Sequence, residues 1–496
     1  MSSNRCPSLA LVLAAVSLAP AAAQKPGEAI EEPRGLVLND PAAFQGYTLF
    51  APINSAWVEL LDMQGQSVHR WKTELGPSGA VYLTEEGHLL RCARLESNPR
   101  FKGGGIAGVL QRLDWDGTVL WEYRLADEYQ TQHHDFEPMP NGNLLFIAWE
   151  MRERSDLLEW GRDPAQCTEQ GLWPDALIEI RPTPEGGEVV WEWHAWDHLI
   201  QDLDPERTNY GSIPDHPELL DINYDHRERP AMTPEQRKQE EELERQMRAL
   251  GYVGGDEEED EQKAADVKQA DWMHTNAVDY CPEYDLIVIS SPELCEILVI
   301  DHSTTTEEAA WHAGGRWGRG GDLLYRWGNP KNYGLGDESD QKLFYQHNVE
   351  FQPVGPDGKL RVTVFNNGGG RPDGTSWSSV DELVLPFDPE TGFTRAEGQP
   401  FGPAAPAWSY SDPEHFLSPF ISGAQRLPNG NTLICSGVEG RIFEVTPDER
   451  VVWDFENTYG GDVPNSPIGG NAPKRALFRA TRLPADHPGL ARLERK

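Results

Sequence analysis

The chain has 496 residues and carries 43 Lys and Arg against 81 Asp and Glu, a formal net charge of −38. That balance argues against nucleic acid or an anionic lipid surface as partner. With 17 Trp, 47 Gly and 39 Pro and few long helical patterns, the composition excludes a helical bundle and points to an all-β fold of enzyme size.

At the N-terminus, Arg5 precedes the apolar run Leu9 to Val16, and Ala21-Ala22-Ala23 before Gln24 fits a small-residue cleavage site, so residues 1–23 read as a signal peptide. The apolar core is too short to span a bilayer, and no later stretch reaches membrane length. The expected location is periplasmic or secreted. Cys6 has no lipid-attachment context. The other cysteines, Cys92, Cys167, Cys281, Cys295 and Cys435, are odd in number and widely spaced, unlike a disulfide framework or a metal motif. Cys281 and Cys295 flank one predicted hairpin, which leaves a pairing between them open.

From about residue 46 a two-part unit repeats. Its second half is an apolar strand, a Gly-containing turn and a Val-Trp-Glu-like strand. Examples run from Val58 to Trp71, Leu113 to Tyr123, Ile178 to Trp193 and Ile442 to Phe455. Weaker copies follow Glu296 and Glu382, the last without its tryptophan. Its first half is a hairpin around Pro140-Asn141-Gly142-Asn143 or Pro428-Asn429-Gly430-Asn431, with looser versions at Glu86-Gly87, Glu283-Tyr284-Asp285 and Asp357-Gly358. Asn-Gly is the strongest short hairpin signal. Two hairpins per unit make a four-stranded sheet, and six units over 46–460 predict a six-bladed β-propeller with inner strands lining a central channel. Periodic tryptophans suit packing between neighbouring blades.

Between the third and fourth units, residues 202–270 read as an insertion, mainly helical or disordered and acidic. A helix starts at the Thr233-Pro234-Glu235-Gln236 cap and runs to Leu250, with Gly251 as its stop. Asp256 to Glu261 is an acidic run expected to be solvated. Because the insertion leads into Trp272-Met273-His274, a lid over the channel is one role open to it. Residues 461–496 read as a tail wrapping the propeller, and the one blade without an inner strand among Gly79, His134, Asn276, His347 and Ser422 is expected to close between the two ends of the chain.

Aligning the units on their hairpin turns reveals a candidate site. Counting back six residues from Pro140, Pro353 and Pro428 gives His134, His347 and Ser422; the same count from Pro282 gives Asn276, two residues after His274. Equivalent positions on inner strands converge on one mouth of a propeller channel. The strand pair after His347 ends in Phe365-Asn366-Asn367-Gly368-Gly369-Gly370-Arg371, which brings an arginine and two amides to the same end. Taken singly, each is an ordinary strand histidine, turn asparagine or loop arginine. Their recurrence at one register is what makes them a candidate. His134, Asn276, Asn348, Asn366 and Asn367 are the expected substrate contacts of that site, beside His274, His347 and Arg371.

Asp271 to Tyr280, Ile300-Asp301-His302-Ser303, Tyr325 to Pro330, Gln346-His347-Asn348, the Phe365–Arg371 loop and Ser422 to Thr432 together resemble the bacterial arylsulfotransferase family. The resemblance covers most of the chain beyond the signal. It implies a periplasmic six-bladed propeller that moves a sulfuryl group from an aryl sulfate to a phenol through a sulfated histidine. No cofactor and no PAPS donor are implied. The family's two active-site histidines match His274 and His347, and its arginine after a Gly-rich loop matches Arg371. Sulfuryl transfer spreads negative charge over equatorial oxygens, which a guanidinium fork and amide donors suit, and histidine serves as acid or base toward the phenol. The covalent histidine of well-known members is expected near the sixth inner strand, where Ser422 to Cys435 contains none. His415 is the nearest candidate, and the nucleophile is left unassigned.

Two other readings stand beside this one. A non-catalytic propeller binding a sulfated or phenolic ligand accounts for the missing histidine. A propeller oxidoreductase or hydrolase would hold a metal or a quinone in the channel, with His134, Asp135, His274 and His347 to supply ligands, but compact metal spacing is lacking.

Overall fold

The computed structural model describes residues 34–493 except 54, 96, 97, 99, 226–268 (where only 238 and 245 are placed) and 461–474. The turn signals fold the chain into six antiparallel four-stranded sheets, whose inner strands pack side by side in a closed ring. The inner strands are Leu477–Pro484 (blade one), Pro77–Leu83 (two), Gln130–Pro138 (three), Ala277–Cys281 (four), His347–Phe351 (five) and Gly423–Arg426 (six). The six-bladed propeller expected from the repeats is thus the fold. The helix and acidic run expected at 233–261 lie outside the described residues, as do the signal segment and residues 461–474.

The ring is closed by both ends of the chain. Leu477–Pro484 does not wrap the outside; it pairs with Gly46–Pro52 and becomes the innermost strand of blade one. Gly35–Asn39 adds a fifth, outermost strand to blade six, against Val451–Glu456. Each terminus supplies hydrogen bonds that the other end of the chain lacks.

Core residues fill the layers between blades rather than one central core. Leu60, Trp71, Leu89 and Leu113 pack between blades one and two. Ile147, Trp193, Ile289 and Leu298 pack between three and four, and Val288, Val299, Val349 and Val364 between four and five. Each such side chain contributes ~1.5–3 kcal/mol on burial, and no blade can bury both faces alone.

The periodic tryptophans join neighbouring blades by hydrogen bond as well as by packing. From the outer strands, Trp121 Nε1 donates to Gly186 O (2.6 Å), Trp191 to Thr304 Oγ1 (3.2 Å) and Trp453 to Met63 O (3.0 Å). Trp327 and Trp408 do the same toward Pro403 O and Pro447 O, at 2.8 and 3.0 Å. In blade one His69 takes this place, its Nε2 2.8 Å from Trp115 O. Trp408 is the tryptophan that the fifth repeat lacks in sequence: it follows a loop of about twenty residues after Ser379–Val384.

Part of the stretch expected as an insertion is built into the propeller. Leu199–Ile200 pairs in parallel with Leu220–Asp221, Leu220 and Ile222 are buried, and Arg326 Nη1 donates to Leu219 O (3.0 Å). Cys281 and Cys295 are not joined to each other by a disulfide. They sit at opposite ends of the strand Leu286–Ser291, Cys281 opposite Leu286 and Cys295 beyond Ser291, so the hairpin separates rather than joins them.

Candidate active site

Backbone distortion marks one mouth of the channel. His134, His274, Asn348 and Ser422 have φ of 52°, 51°, 50° and 90°. This left-handed region is uncommon for residues with a Cβ, and such outliers cluster at functional sites. The strand pairing slips by two residues at His134 and by one at Asn348, bulges that re-aim the side chains. The bend at His134 needs two glycines: a Cβ on Gly105 would come 2.2 Å from the His134 ring, and one on Gly79 1.6 Å from His134 O.

The three histidines expected at the mouth do gather there. The rings of His134 and His274 meet edge to face, centroids 4.5 Å apart, and His347 lies within electrostatic reach of both. Their surroundings differ. Burial would lower the His274 pKa, but the Asp271 carboxylate, close in charge and hydrogen-bonded to Nδ1, reverses the sign and raises it above the ordinary value. His134 is wholly buried, and burial together with His274, His133, His347 and Arg479 pushes its pKa well down. Burial also drives His347 down to about 3, against the opposing effect of the hydrogen bond it donates to Asn367. His347 and His134 are therefore neutral imidazoles at physiological pH, and His274 is the one biased toward the cation.

Asn367 sets the tautomer of His347. His347 Nδ1 lies 2.9 Å from Asn367 Oδ1 and 3.1 Å from Tyr345 O; both are acceptors, so Nδ1 carries the proton. Asn367 is itself held by donating to Ser418 O (2.7 Å) and Ile421 O (2.9 Å). His347 Nε2 is then a buried lone pair with no hydrogen-bond partner among the described residues.

The other expected residues divide. Asn276 donates to Gln346 O (2.9 Å), and Asn348 Oδ1 accepts from Ala424 N (2.7 Å), so both stitch neighbouring blades at the mouth. Asn366 donates to Lys342 O and accepts from Phe344 N, each at 2.9 Å. The amide donors of Asn366 and Asn367 are thus occupied by carbonyls: these two residues shape the loop rather than offer donors to a ligand. Arg371 lies over Trp377 (3.7 Å) and Phe344 (4.7 Å), with Nε buried and without an acceptor. His415 is about one-third exposed, paired with Asp412 at 3.2 Å. Ser422, in the sixth-blade position, bonds Ser418 Oγ (2.8 Å) and accepts from Gly437 N (2.9 Å).

Three further groups escaped the sequence reading. Arg479, on the closing strand of blade one, is buried beside Asp135, with Nη2 2.9 Å from Oδ2, and its charge lowers the pKa of both His134 and His347. Nη2 is engaged in this ion pair, and Nε is buried without an acceptor among the described residues. His133 Nδ1 is 2.7 Å from His134 Nδ1, and its Nε2 is 3.2 Å from Asp175 Oδ1, an approach also too poorly aligned to count as a hydrogen bond. Asp271 anchors His274 from three residues away. The available signals were the alternation of Leu477 to Pro484 and the i, i+3 spacing of Asp271 and His274.

Residues 60–452 match the family model described as Arylsulfotransferase (ASST). The chain belongs to the arylsulfotransferase family. No curated protein matches it significantly. Among solved structures it is similar to a protein of unknown function from Bacteroides caccae, with 9% identity, TM-score 0.43, and coverage of 88% of this chain and 99% of that one. A functionally unknown protein from Desulfotomaculum acetoxidans gives 8% identity, TM-score 0.39, and coverage of 89% and 100%. At such values neither likeness bears on what this arylsulfotransferase-family chain does.

Proposed function

We propose that this protein is an exported aryl-sulfate sulfotransferase that needs no nucleotide donor and carries the sulfuryl group on His347. The observation behind this reading is a complementary pair of buried groups. Among the described residues His347 Nε2 is an unpartnered lone pair on a neutral imidazole, and Arg479, ion-paired with Asp135 through Nη2, has an Nε donor without an acceptor. One suits a sulfur electrophile, the other the oxygens attached to it.

In the first half-reaction His347 Nε2 attacks the sulfur of an aryl sulfate. An N–S bond forms, the S–O bond to the aryl group breaks, and its electron pair leaves on the phenolate oxygen. His274, charged through Asp271, gives that oxygen its proton. Asn367 Oδ1 accepts from His347 Nδ1–H and so stabilises the positive charge that builds on the sulfated ring. Arg479 meets the charge spread over the sulfuryl oxygens, with Arg371 as a second cation one loop further out. In the second half-reaction an acceptor phenol gives its proton to the now neutral His274, and its oxygen attacks sulfur. The N–S pair then returns to Nε2. His134 lines the pocket as a neutral ring, oriented by His133.

The test is a chromogenic aryl sulfate with and without a phenol, followed by peptide mass mapping. Acceptor-dependent phenol release and a sulfuryl group on the His347 peptide are expected, both lost in His347→Ala and both kept in His415→Ala. The binding-protein reading draws on Ser422, whose hydroxyl stands hydrogen-bonded where a sixth-blade histidine is expected. Wild-type protein that neither releases phenol nor gains the group, across several aryl sulfates, would favour that reading.

A further inference from the structure

A second histidine cluster lies away from the channel, at the outer rim between blades three and four. His198 ends the short turn Ala195–His198 that follows the outer strand of blade three. His312 and Asp322 belong to the loop that runs between the strands Glu296–Asp301 and Tyr325–Trp327 of blade four. His198 Nδ1 is 2.8 Å from Asp322 Oδ1, and His312 Nδ1 is 2.7 Å from the same oxygen. The two rings stand at 86° to each other, with centroids 5.9 Å apart.

His198 is fully buried and lies parallel to Trp193. Its Nε2 is 2.8 Å from Ala309 O, a pure acceptor, so Nε2 carries a proton. Nδ1 of the neutral ring then turns a lone pair toward a carboxylate oxygen, which also has only lone pairs. Two acceptors facing each other at hydrogen-bond distance call for a positive centre between them, either a second proton or a metal ion.

Three features favour the metal. His312 brings a second imidazole nitrogen to the same oxygen, so that two nitrogens and a carboxylate, within 4.8 Å of one another, come from two blades. The carbonyl of Ala309 on the far nitrogen of His198 is the outer partner that metal-bound histidines usually have. The backbone is also drawn in tightly: a Cβ on Gly321 would come 1.9 Å from Ala309 O and 2.6 Å from His198 Nε2, and Gly321 O accepts from Trp193 Nε1 at 2.7 Å.

We propose that His198, His312 and Asp322 bind a divalent transition-metal ion of the zinc class, which staples the blade-four loop to blade three. Two imidazoles select such an ion over calcium or magnesium, which prefer all-oxygen sets. The His312 side chain is 47% exposed, which gives the ion an entry path and leaves coordination positions for water.

The test uses tag-free, full-length protein stripped with chelator and titrated with zinc by calorimetry. One equivalent should bind and raise the melting temperature, and cobalt in its place should give visible d–d absorption. His312→Ala, a change at an exposed side chain, should weaken binding by about a hundredfold or more, beyond what loss of an outer partner alone costs, and abolish the thermal shift. Asp322→Asn serves as a second variant and should do the same. Stripped wild-type protein that takes up no zinc would make the cluster a proton-bridged pair and overturn the proposal. So would His312→Ala protein that binds zinc as tightly as wild type.

Discussion

The imidazoles of His134 and His274 touch edge to face with centroids 4.5 Å apart, yet their surroundings drive them in opposite directions. His274 has a carboxylate on Nδ1 and is raised; His134 has a second histidine on its own Nδ1 and is pushed well down. Pairs of titratable groups pushed apart in this way divide acid from base roles.

The pH dependence follows with a definite sign. In the proposed mechanism His274 is the acid while protonated, so phenol release should decline as pH rises through its pKa, which lies above 6.5. Donors with basic leaving phenols should show that alkaline decline, and nitrophenyl sulfates, whose phenolate needs no proton, should show little of it. Asp271→Asn removes the charge that raises His274 and should shift the decline to lower pH. Paired pH–rate profiles for the two donor types check this.

Asn367 is a positioning residue, and its variants separate geometry from charge. Asn367→Ala removes the donor that Asn367 gives Ser418 O and Ile421 O, a loss of ~1–3 kcal/mol that melting temperature should register. Asn367→Asp sets a carboxylate against His347 Nδ1 and raises the His347 pKa from about 3. Turnover of the Asp variant should fall at neutral pH and recover in part as pH rises, a profile that a merely structural defect would not produce.

Arg479 and Arg371 should respond differently to the same substitution. Arg479→Lys keeps the charge beside Asp135 but loses the planar fork, and should lower turnover by roughly 10²–10³-fold. Arg371→Lys, which gives up stacking on Trp377 and Phe344, should cost less. Arg479→Gln leaves the Asp135 carboxylate buried without its cation and should destabilise the fold by ~3–5 kcal/mol. Steady-state kinetics and thermal melts on the three variants test the order.

Away from the channel, His302 bridges blades three and four, with Nε2 2.8 Å from Glu179 and Nδ1 2.7 Å from Asp285. Burial opposes the charge on His302, but the two carboxylates raise its pKa to about 9. Because the folded value lies above the unfolded value of about 6.5, its stabilisation is fully present below that value and is lost as pH rises through about 9. The melting temperature of wild type should therefore fall across this window more than that of His302→Leu.

Truncation before Leu477 removes the inner strand of blade one together with Arg479. The expected outcome is loss of soluble folded protein, read by circular dichroism. A truncated chain that stays folded would show that the ring does not need this closure.

What the sequence determined by itself was local and periodic. Asn-Gly turns, period-two strands and recurrent tryptophans depend on near neighbours, so they specified six blades, the inner-strand positions and the register that brings His134, His274 and His347 to one mouth. Where a fourth strand follows a long loop, as at Trp408, the period broke and the copy looked incomplete. Tertiary structure alone decided the rest, because those contacts join residues far apart in the chain. That one blade closes between the two ends of the chain was legible in the sequence, but which strand closes it was not: Leu477–Pro484 pairs with Gly46–Pro52 and so carries Arg479 into the channel from near the C-terminus. The protonation states of the three histidines likewise rest on burial and on Asp271, Asn367 and Arg479, since a pKa is set by the charges and solvent around a group rather than by its place in the chain.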